Sequence, residues 1–311
     1  MNSLVGYTGF VGSNLAECGH FDALYNSKNI REAFGTKPDL LVYAGIRSEM
    51  FLANNFPEKD LAQIKEAASN IEKICPKTLV LISTISVYGE NACGDEDTAI
   101  DKSSLTDYGC NRLFLEEWVE SNVKDYLIVR LPALYGKNLK KNFIYDYIHV
   151  IPKLLTYEKF AELSEKNESL SDSYTRQDNG FYKCRELDAG EAQKLKAFFA
   201  GAGFSALNFT DSRSRYQFYN LTFLWGHIQL ALEHGIKKLN ISTEPLSAAE
   251  VYDFLEHKEF SNELNKAPFD YNLKTLHSQI LGGRNGYIQD KDFVLNDIKE
   301  FAEATLHEKE R

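Results

Sequence analysis

The chain has 311 residues, of which 43% are hydrophobic and 13% aromatic, enough to bury a sizeable core in one large domain or two joined lobes. Its formal net charge is -10. An acidic surface argues against nucleic acid or an anionic membrane as a partner, because both require a basic binding surface. A phosphorylated small molecule, bound by backbone N–H groups and one or two arginines, stays compatible with this charge.

The five cysteines are an odd number and form no C-x-x-C pair, which favours reduced thiols over a disulfide framework. The seven histidines show no metal-ligand spacing, so no structural metal is expected. A strand-like segment opens the sequence where a signal peptide would stand, and the apolar runs are too short to span a bilayer. These features predict a cytoplasmic protein without a membrane or nucleic-acid partner.

A Gly-x-x-Gly-x-x-Gly turn lies between the first predicted strand, residues 3–5, and a predicted helix, residues 13–18. Gly6 allows a tight turn, Gly9 lets the backbone approach a diphosphate, and Gly12 lets the helix pack closely on the strand. The helix directs its unpaired N–H groups and positive dipole end at the phosphates. A glycine pattern alone is also typical of an ordinary turn. The dinucleotide interpretation predicts cofactor contacts for Gly6, Thr8, Gly9, Phe10, Val11 and Gly12.

Strands and helices alternate along the first half of the chain. Continuous apolar runs at 40–43 and 78–82 are typical of parallel strands that are covered on both faces. Further strands are predicted at 23–25, 126–132 and 238–242, and helices at 60–74 and from residue 107. This alternation predicts an α/β fold with a Rossmann-type, doubly wound parallel sheet. Ligands of such sheets bind beyond the carboxyl ends of the strands.

The end of the second strand should lie beside the adenosine ribose of a dinucleotide. It carries Asn26, Ser27 and Lys28, with Arg31 close behind, and no carboxylate that would repel a 2′-phosphate. These residues favour NADP(H) over NAD, although an ordinary polar turn would look the same. Ala44-Gly45, at the end of the third strand, leave room for the cofactor.

Residues 142–215 differ in character from the segments before them. They contain a charge-rich stretch at 157–170 and a helical pattern at 189–199. This pattern indicates a smaller, mostly helical lobe that caps the sheet. The alternative is a surface elaboration that does not contact the ligand. Further helices are predicted at 217–232, 248–255 and 292–306. We therefore expect a dinucleotide-binding domain at 1–142 and 217–245, and a substrate-binding lobe at 143–216 and 246–311.

Six short motifs are informative through their order and spacing along the chain. They are Gly6-x-x-Gly9-x-x-Gly12, Ser83-Thr84-x-x-Val87-Tyr88-Gly89, Tyr108-x-x-x-Arg112, Arg130-x-Pro132, Tyr135-Gly136 and Asn142-Phe143. Together they resemble the extended short-chain dehydrogenase/reductase superfamily, in particular its NAD(P)-dependent sugar epimerase/dehydratase group, over about the first 150 residues. The compact link at 26–38 looks like that of nucleotide-sugar ketoreductases. The resemblance implies an NAD(P) cofactor and a nucleotide-sugar substrate.

The resemblance also implies roles for individual residues. Tyr108 would be the general acid/base, and Thr84 would orient the same substrate oxygen. Arg112, one helical turn after Tyr108, would lower the pKa of the tyrosine and hold the nicotinamide ribose. The implied cofactor set further includes Ala44, Gly45, Ile82, Ser83, Leu131, Pro132 and Leu134, and the implied substrate set is Ser86, Tyr88 and Asn142. Independently of the resemblance, Arg215 and its neighbour Arg213 end the segment over the sheet, where arginines can bind a substrate diphosphate; a solvated pair is the alternative.

The chain departs from the family pattern at two places. The family has lysine where this chain has Arg112, and arginine cannot release a proton near neutral pH. Sugar 4,6-dehydratases of this group carry Asp and Glu after the threonine, whereas this chain has Ile85 and Ser86, neither of which serves as a general acid or base there. Dehydratase chemistry is therefore not expected.

Two functions remain open at this point. One is an NAD(P)-dependent oxidoreductase or epimerase acting on a nucleotide-linked sugar. The other is a cofactor-binding regulatory protein of the same fold with little or no catalysis, because Arg112 replaces the lysine. Epimerisation beside a ketone would need a further acid or base, for which Cys93 and His149 are open choices. The resemblance further implies a homodimer formed through the Tyr108 helix.

Overall fold

The protein is described here by a computed structural model that covers residues 1–167 and 169–310. In chain order its strands are β1 (Asn2–Val5), β2 (Ala23–Tyr25), β3 (Leu40–Tyr43), β4 (Thr78–Thr84), β5 (Cys93–Gly94), β6 (Tyr126–Leu131), β7 (Ala133–Tyr135), β8 (Leu154–Leu155), β9 (Tyr174–Arg176), β10 (Tyr182–Cys184), β11 (Arg215–Tyr216), β12 (Phe218–Asn220), β13 (Lys238–Asn240), β14 (Leu246–Ser247) and β15 (Asn272–Leu273).

The α-helices are α1 (Phe10–Cys18), α2 (Met50–Asn55), α3 (Pro57–Ile74), α4 (Asp107–Asn122), α5 (Phe143–His149), α6 (Tyr157–Ser164), α7 (Leu170–Ser173), α8 (Ala189–Ala202), α9 (Leu224–Glu233), α10 (Ala248–Glu256) and α11 (Lys291–Glu310). Short 3₁₀ turns connect several of them, at Ile30–Ala33, Ile85–Tyr88, Lys102–Ser104, Ala206–Phe209 and Leu221–Phe223. Among the described residues, no helix combines the length and apolarity that crossing a bilayer requires.

The main sheet has six strands in the order β13-β6-β4-β3-β1-β2, and every neighbouring pair is parallel. Alternate strand residues face opposite sides. One face, which includes Val42 and Val80, packs against α1 and α9. The other face, which includes Leu41 and Leu79, packs against α3 and α4. Helices cover both faces, so the predicted Rossmann-type parallel sheet is confirmed.

A smaller lobe follows α5. It contains α6, α7, α8 and a three-stranded antiparallel sheet in the order β8-β10-β9. Its own apolar core comprises Leu155, Leu163, Leu170, Tyr174, Leu195 and Phe199. The smaller lobe therefore pairs its helices with a sheet that the sequence did not predict.

The single helix predicted at 217–232 is wrong in its first seven residues. Phe218–Asn220 form β12, which pairs in parallel with β7, and α9 begins only at Leu224. All three strand residues are buried, and a run buried on both sides is typical of a strand rather than of one helical face. The helix α2 was also not predicted.

Candidate active site

The glycine turn between β1 and α1 leaves no room for a side chain at Gly6 or Gly12. Gly6 has a φ of +91°, and a Cβ atom there would lie 2.5 Å from the carbonyl oxygen of Ala44. A Cβ atom on Gly12 would lie 2.1 Å from the carbonyl oxygen of Gly6. The turn is therefore pressed against both its own helix and the end of β3, where Ala44 and Gly45 lie.

The start of α1 fits a diphosphate group. Gly9 is the N-cap residue and provides no side-chain cap. Every helix has N–H groups in its first turn without a partner in the helix, and an anion can accept their hydrogen bonds. Thr8, Phe10 and Val11 lie in the same turn, so the residues predicted to bind the phosphates of a dinucleotide are adjacent in space.

The tip after β2 is a polar turn that exposes two cations. The Asn26 side chain accepts a hydrogen bond from the Lys28 backbone N–H at 2.9 Å, which fixes the turn. Ser27, Lys28 and Arg31 are exposed. Neither Lys28 nor Arg31 forms an ion pair with another residue that the structure describes. Both charges are therefore free to attract an anionic group beside β2.

Thr84 ends β4, where it lies opposite Leu131 in the sheet. Its hydroxyl group accepts a hydrogen bond from the Ser86 backbone N–H at 3.2 Å and donates one to Ser86 Oγ at 3.1 Å. The Ser86 carbonyl oxygen lies only 2.6 Å from where a Cβ atom on Gly109 would stand. This close approach places the Thr84–Ser86 turn against the start of α4, next to Tyr108.

Tyr108 lies in the first turn of α4, which is capped by the Thr106 hydroxyl at 3.3 Å from the Gly109 N–H. Only 3% of its surface is exposed. Its backbone N–H donates to Asn54 Oδ1 at 2.9 Å, and its hydroxyl group donates to Ser48 Oγ at 3.4 Å. The segment after β3 therefore covers Tyr108 and provides the partner of its hydroxyl group.

Arg112 has a partner that the sequence analysis did not foresee. Its Nη1 and Nη2 atoms donate to the two carboxylate oxygens of Asp60 at 2.9 and 3.1 Å. Nη2 also donates to the Arg47 carbonyl oxygen at 2.8 Å, and the guanidinium group lies 4.3 Å from the Tyr108 ring centroid. Arg112 is 4% exposed. Both Nη groups of Arg112 therefore donate hydrogen bonds to other protein groups, whereas the sequence predicted a contact with the nicotinamide ribose.

Two other predicted ligand contacts belong to a buried polar network. Ser83 donates its hydroxyl hydrogen to Glu116, which forms an ion pair with Arg130 at 2.7 Å. Arg130 also donates to the Tyr88 hydroxyl group at 2.5 Å, as does Asn240 at 3.0 Å. Burial raises the pKa of Tyr88, although the Arg130 charge opposes that shift. The hydroxyl groups of Ser83 and Tyr88 therefore bond to α4 and to the strands β6 and β13.

The remaining predicted substrate residues are also engaged. Asn142 caps α5 by accepting from the Tyr145 N–H at 3.0 Å, and it donates to the Leu134 carbonyl oxygen at 2.7 Å. Arg215 is 40% exposed and pairs with Asp270 at 3.2 Å. Among the apolar residues predicted to contact the cofactor, Leu131 is fully buried. Three others are partly buried: Ile82, Pro132 and Leu134.

Sequence reasoning missed four residues around Tyr108. They are Arg47, Ser48, Asp60 and Lys141, whose Nζ atom donates to the Ser48 carbonyl oxygen at 2.6 Å. Two signals could have found some of them. A buried arginine needs a carboxylate partner, and the loop that follows a parallel strand, such as the loop from β3 to Ser48, lies at the ligand edge. Within the described residues, no group of His, Cys, Asp and Glu could hold a metal ion.

The comparisons with known proteins concern the family and the fold. Residues 20–166 match the model of the NAD dependent epimerase/dehydratase family. The comparison with curated proteins gave no match.

Several solved structures share the fold over nearly the whole chain. A dTDP-4-dehydrorhamnose reductase from Yersinia enterocolitica is 12% identical, with a TM-score of 0.62 and coverage of 98% of this chain and 99% of the other. A Bacillus anthracis dTDP-4-dehydrorhamnose reductase in complex with NADP is 14% identical, with a TM-score of 0.57 and coverage of 92% and 93%. A UDP-N-acetylglucosamine 4-epimerase from Methanobrevibacter ruminantium M1, in complex with UDP-N-acetylmuramic acid, is 12% identical, with a TM-score of 0.61 and coverage of 99% and 98%.

Proposed function

Since residues 20–166 match the model of the NAD dependent epimerase/dehydratase family, we propose that the protein is an NAD(P)-dependent oxidoreductase or epimerase that acts on a nucleotide-linked sugar. The observation that carries this proposal is the meeting of three separate segments at one sheet edge. The glycine turn contacts Ala44, the segment after Ala44 reaches Tyr108 through Ser48, and the Tyr108 helix packs on the Thr84–Ser86 turn.

The chain's own groups then have distinct tasks. NAD(P), when bound, supplies or accepts the hydride. Tyr108 gives a proton from its hydroxyl group to the substrate oxygen, or takes one from it in the reverse direction. Thr84 orients that oxygen by a hydrogen bond from its hydroxyl group, whose hydrogen turns from Ser86 Oγ to the substrate. The near-complete burial of Tyr108 excludes bulk water and strengthens these interactions.

Two finer statements belong to the same proposal. The exposed Lys28 and Arg31 beside β2, with no carboxylate at the tip, support NADP(H) over NAD. Ile85 and Ser86 support a reaction other than 4,6-dehydration, because Ile85 is buried in an apolar cluster with Ala92 and Leu273. Neither residue can act as a general acid or base.

A second function is favoured by the surroundings of Arg112. Its Nη groups bind Asp60 and the Arg47 carbonyl oxygen, so the chain lacks the free lysine that the resemblance implies beside the tyrosine. A protein that binds NAD(P) through the glycine turn, with little or no turnover, is therefore the alternative.

Cofactor binding and turnover together separate the two functions. We would measure NADPH binding by nicotinamide fluorescence and then turnover on a panel of nucleotide-4-ketosugars. Tyr108→Phe should abolish turnover and keep binding, whereas Tyr126→Phe, which removes a hydroxyl group at the amino end of β6, should keep both. Binding without turnover on any substrate would favour the regulatory alternative, and absence of binding would contradict both.

Cofactor choice has its own test. Lys28→Glu should weaken NADPH binding by about tenfold or more and leave NADH binding almost unchanged, because the new carboxylate repels only the 2′-phosphate. Lys37→Glu, at a neighbouring exposed position, is the control. A wild-type preference for NADH would contradict the NADP(H) proposal.

A further inference from the structure

We infer that Lys141 is a positioning residue for Tyr108, supplying from outside α4 the positive charge that the Arg112–Asp60 pair withholds. The inference rests on the proposed function, since it assigns to Tyr108 a proton transfer. It adds two residues, Lys141 and Ser48, that no motif in the sequence indicated.

Arg112 cannot fill this role because its charge is matched. Asp60 binds the guanidinium group through both carboxylate oxygens, and an ion pair with such close contacts projects a much weaker field than a lone cation. The guanidinium group lies over the Tyr108 ring, 4.3 Å from its centroid, and the Tyr108 hydroxyl group bonds to Ser48 instead. When Tyr108 gives up its proton, the new negative charge on the hydroxyl oxygen needs a different cation.

Lys141 and Tyr108 contact the same residue. The Lys141 ammonium group donates to the Ser48 carbonyl oxygen at 2.6 Å, and the Tyr108 hydroxyl group donates to Ser48 Oγ at 3.4 Å. The ammonium group and the phenol oxygen are therefore separated by one serine. Ser48 fixes the direction of the hydroxyl group, and Lys141 fixes Ser48.

Lys141 is an exposed residue, although burial lowers the pKa of its ammonium group and the Glu49 carboxylate opposes this shift. Water and salt therefore screen part of its charge. The 2.6 Å hydrogen bond to the Ser48 carbonyl oxygen is the contact that holds the charge near Tyr108. The other charged groups near Ser48 are Arg47 and Glu49, which flank it in the chain, and the Arg112–Asp60 pair.

The proton balance of the step requires nothing from Lys141. The O–H bond of Tyr108 breaks as a new O–H bond forms on the substrate oxygen, and the electron pair stays on the phenol oxygen. Lys141 keeps its own proton and stabilises that oxygen by its charge. In the reverse direction the same charge favours the ionised phenol that accepts the proton.

The titration of Tyr108 tests this inference without any substrate. The ultraviolet difference absorbance between a protein and its Tyr108→Phe counterpart isolates the ionisation of this one tyrosine. Lys141→Met should move that ionisation upward by about one pH unit, and Lys141→Arg should restore it. Lys140→Met, which removes the neighbouring exposed lysine, should leave it in place.

Turnover provides the second readout. On an active 4-ketosugar, Lys141→Met should lower kcat about tenfold near neutral pH, move the pH profile in the same direction as the phenol titration, and leave NADPH binding unchanged. An unchanged Tyr108 titration in Lys141→Met would overturn the inference, and so would an equal shift in Lys140→Met. If no substrate turns over, the proposed function fails, while the titration still decides whether Lys141 acts on Tyr108.

Discussion

Arg112 connects three separate parts of the chain. Its guanidinium group binds Asp60 at the start of α3 and the Arg47 carbonyl oxygen after β3, and it lies over the ring of Tyr108. The planar fork of arginine matches a carboxylate with two parallel hydrogen bonds, which the single ammonium group of lysine cannot do. Arg112 and Asp60 therefore form a matched pair, and the exchange of lysine for arginine changes what this position does.

Removing the partner of Arg112 should destabilise the fold. Asp60→Asn keeps the shape of the side chain but leaves a buried guanidinium charge uncompensated, so we expect the free energy of unfolding to fall by about 3 kcal/mol or more. The measurement is equilibrium urea unfolding. Glu58→Gln, in the same first turn of α3 but exposed, should change stability by less than about 0.5 kcal/mol. Equal stability of Asp60→Asn and the wild type would contradict the role of this pair.

Elements of the sheet could be predicted because their signal is local. The apolar runs that form β3, β4 and β6 alternate with helical patterns and end at turn residues, so the fold class followed from short segments. The predicted start of the 217–232 helix was wrong because β12 is short and fully buried. No alternation of buried and exposed residues therefore marks it as a strand. A three-residue strand is specified by its neighbour β7, not by its own sequence.

The site was less predictable because its polar contacts are distant in sequence. Tyr108 meets Ser48 across 60 residues, Arg112 meets Asp60 across 52, and Lys141 meets Ser48 across 93. Motifs gave the positions of Thr84 and Tyr108, since those residues end or begin predicted elements. No local pattern says which carboxylate will compensate a buried arginine, so Asp60 and Lys141 appear only once the elements are packed.

The packing of α1 on β1 depends on the absence of one methyl group. Gly12→Ala would place a Cβ atom 2.1 Å from the Gly6 carbonyl oxygen, and the backbone on both sides leaves little freedom to move. We expect a loss of about 3 kcal/mol in the free energy of unfolding together with loss of NADPH binding. Urea unfolding and nicotinamide fluorescence measure the two effects.

The matched control lies at the end of α8. A Cβ atom on Gly201 meets no atom within 4 Å, so Gly201→Ala should stabilise the protein by about 0.5 kcal/mol through helix propensity and leave NADPH binding intact. Unimpaired NADPH binding by a stable Gly12→Ala variant would show that the turn does not need this close approach.

Across the whole molecule, two partly buried groups shift their pKa values in opposite directions. Burial raises the pKa of Asp146 on α5 to about 7, and burial lowers the pKa of His227 on α9 to about 4. Between about pH 4 and 6.5 the folded protein therefore keeps a proton on Asp146 that the unfolded chain has lost. Over the same range it lacks a proton on His227 that the unfolded chain binds. The two contributions to the pH dependence of stability oppose each other.

Single substitutions should separate these opposing contributions. Asp146→Asn keeps only the contribution of His227, so relative to the wild type its stability should rise with pH by up to about 3 kcal/mol between about pH 4 and 6.5. His227→Gln keeps only the contribution of Asp146, so relative to the wild type its stability should fall with pH by up to about 3 kcal/mol over the same range. Urea unfolding across this range gives both slopes, and Asp178→Asn, at an exposed position in the small lobe, should keep the wild-type slope. Because the slope is compared and not the absolute stability, a change in packing does not obscure the result. A wild-type slope in Asp146→Asn would mean that this carboxyl group titrates alike in the folded and unfolded chains.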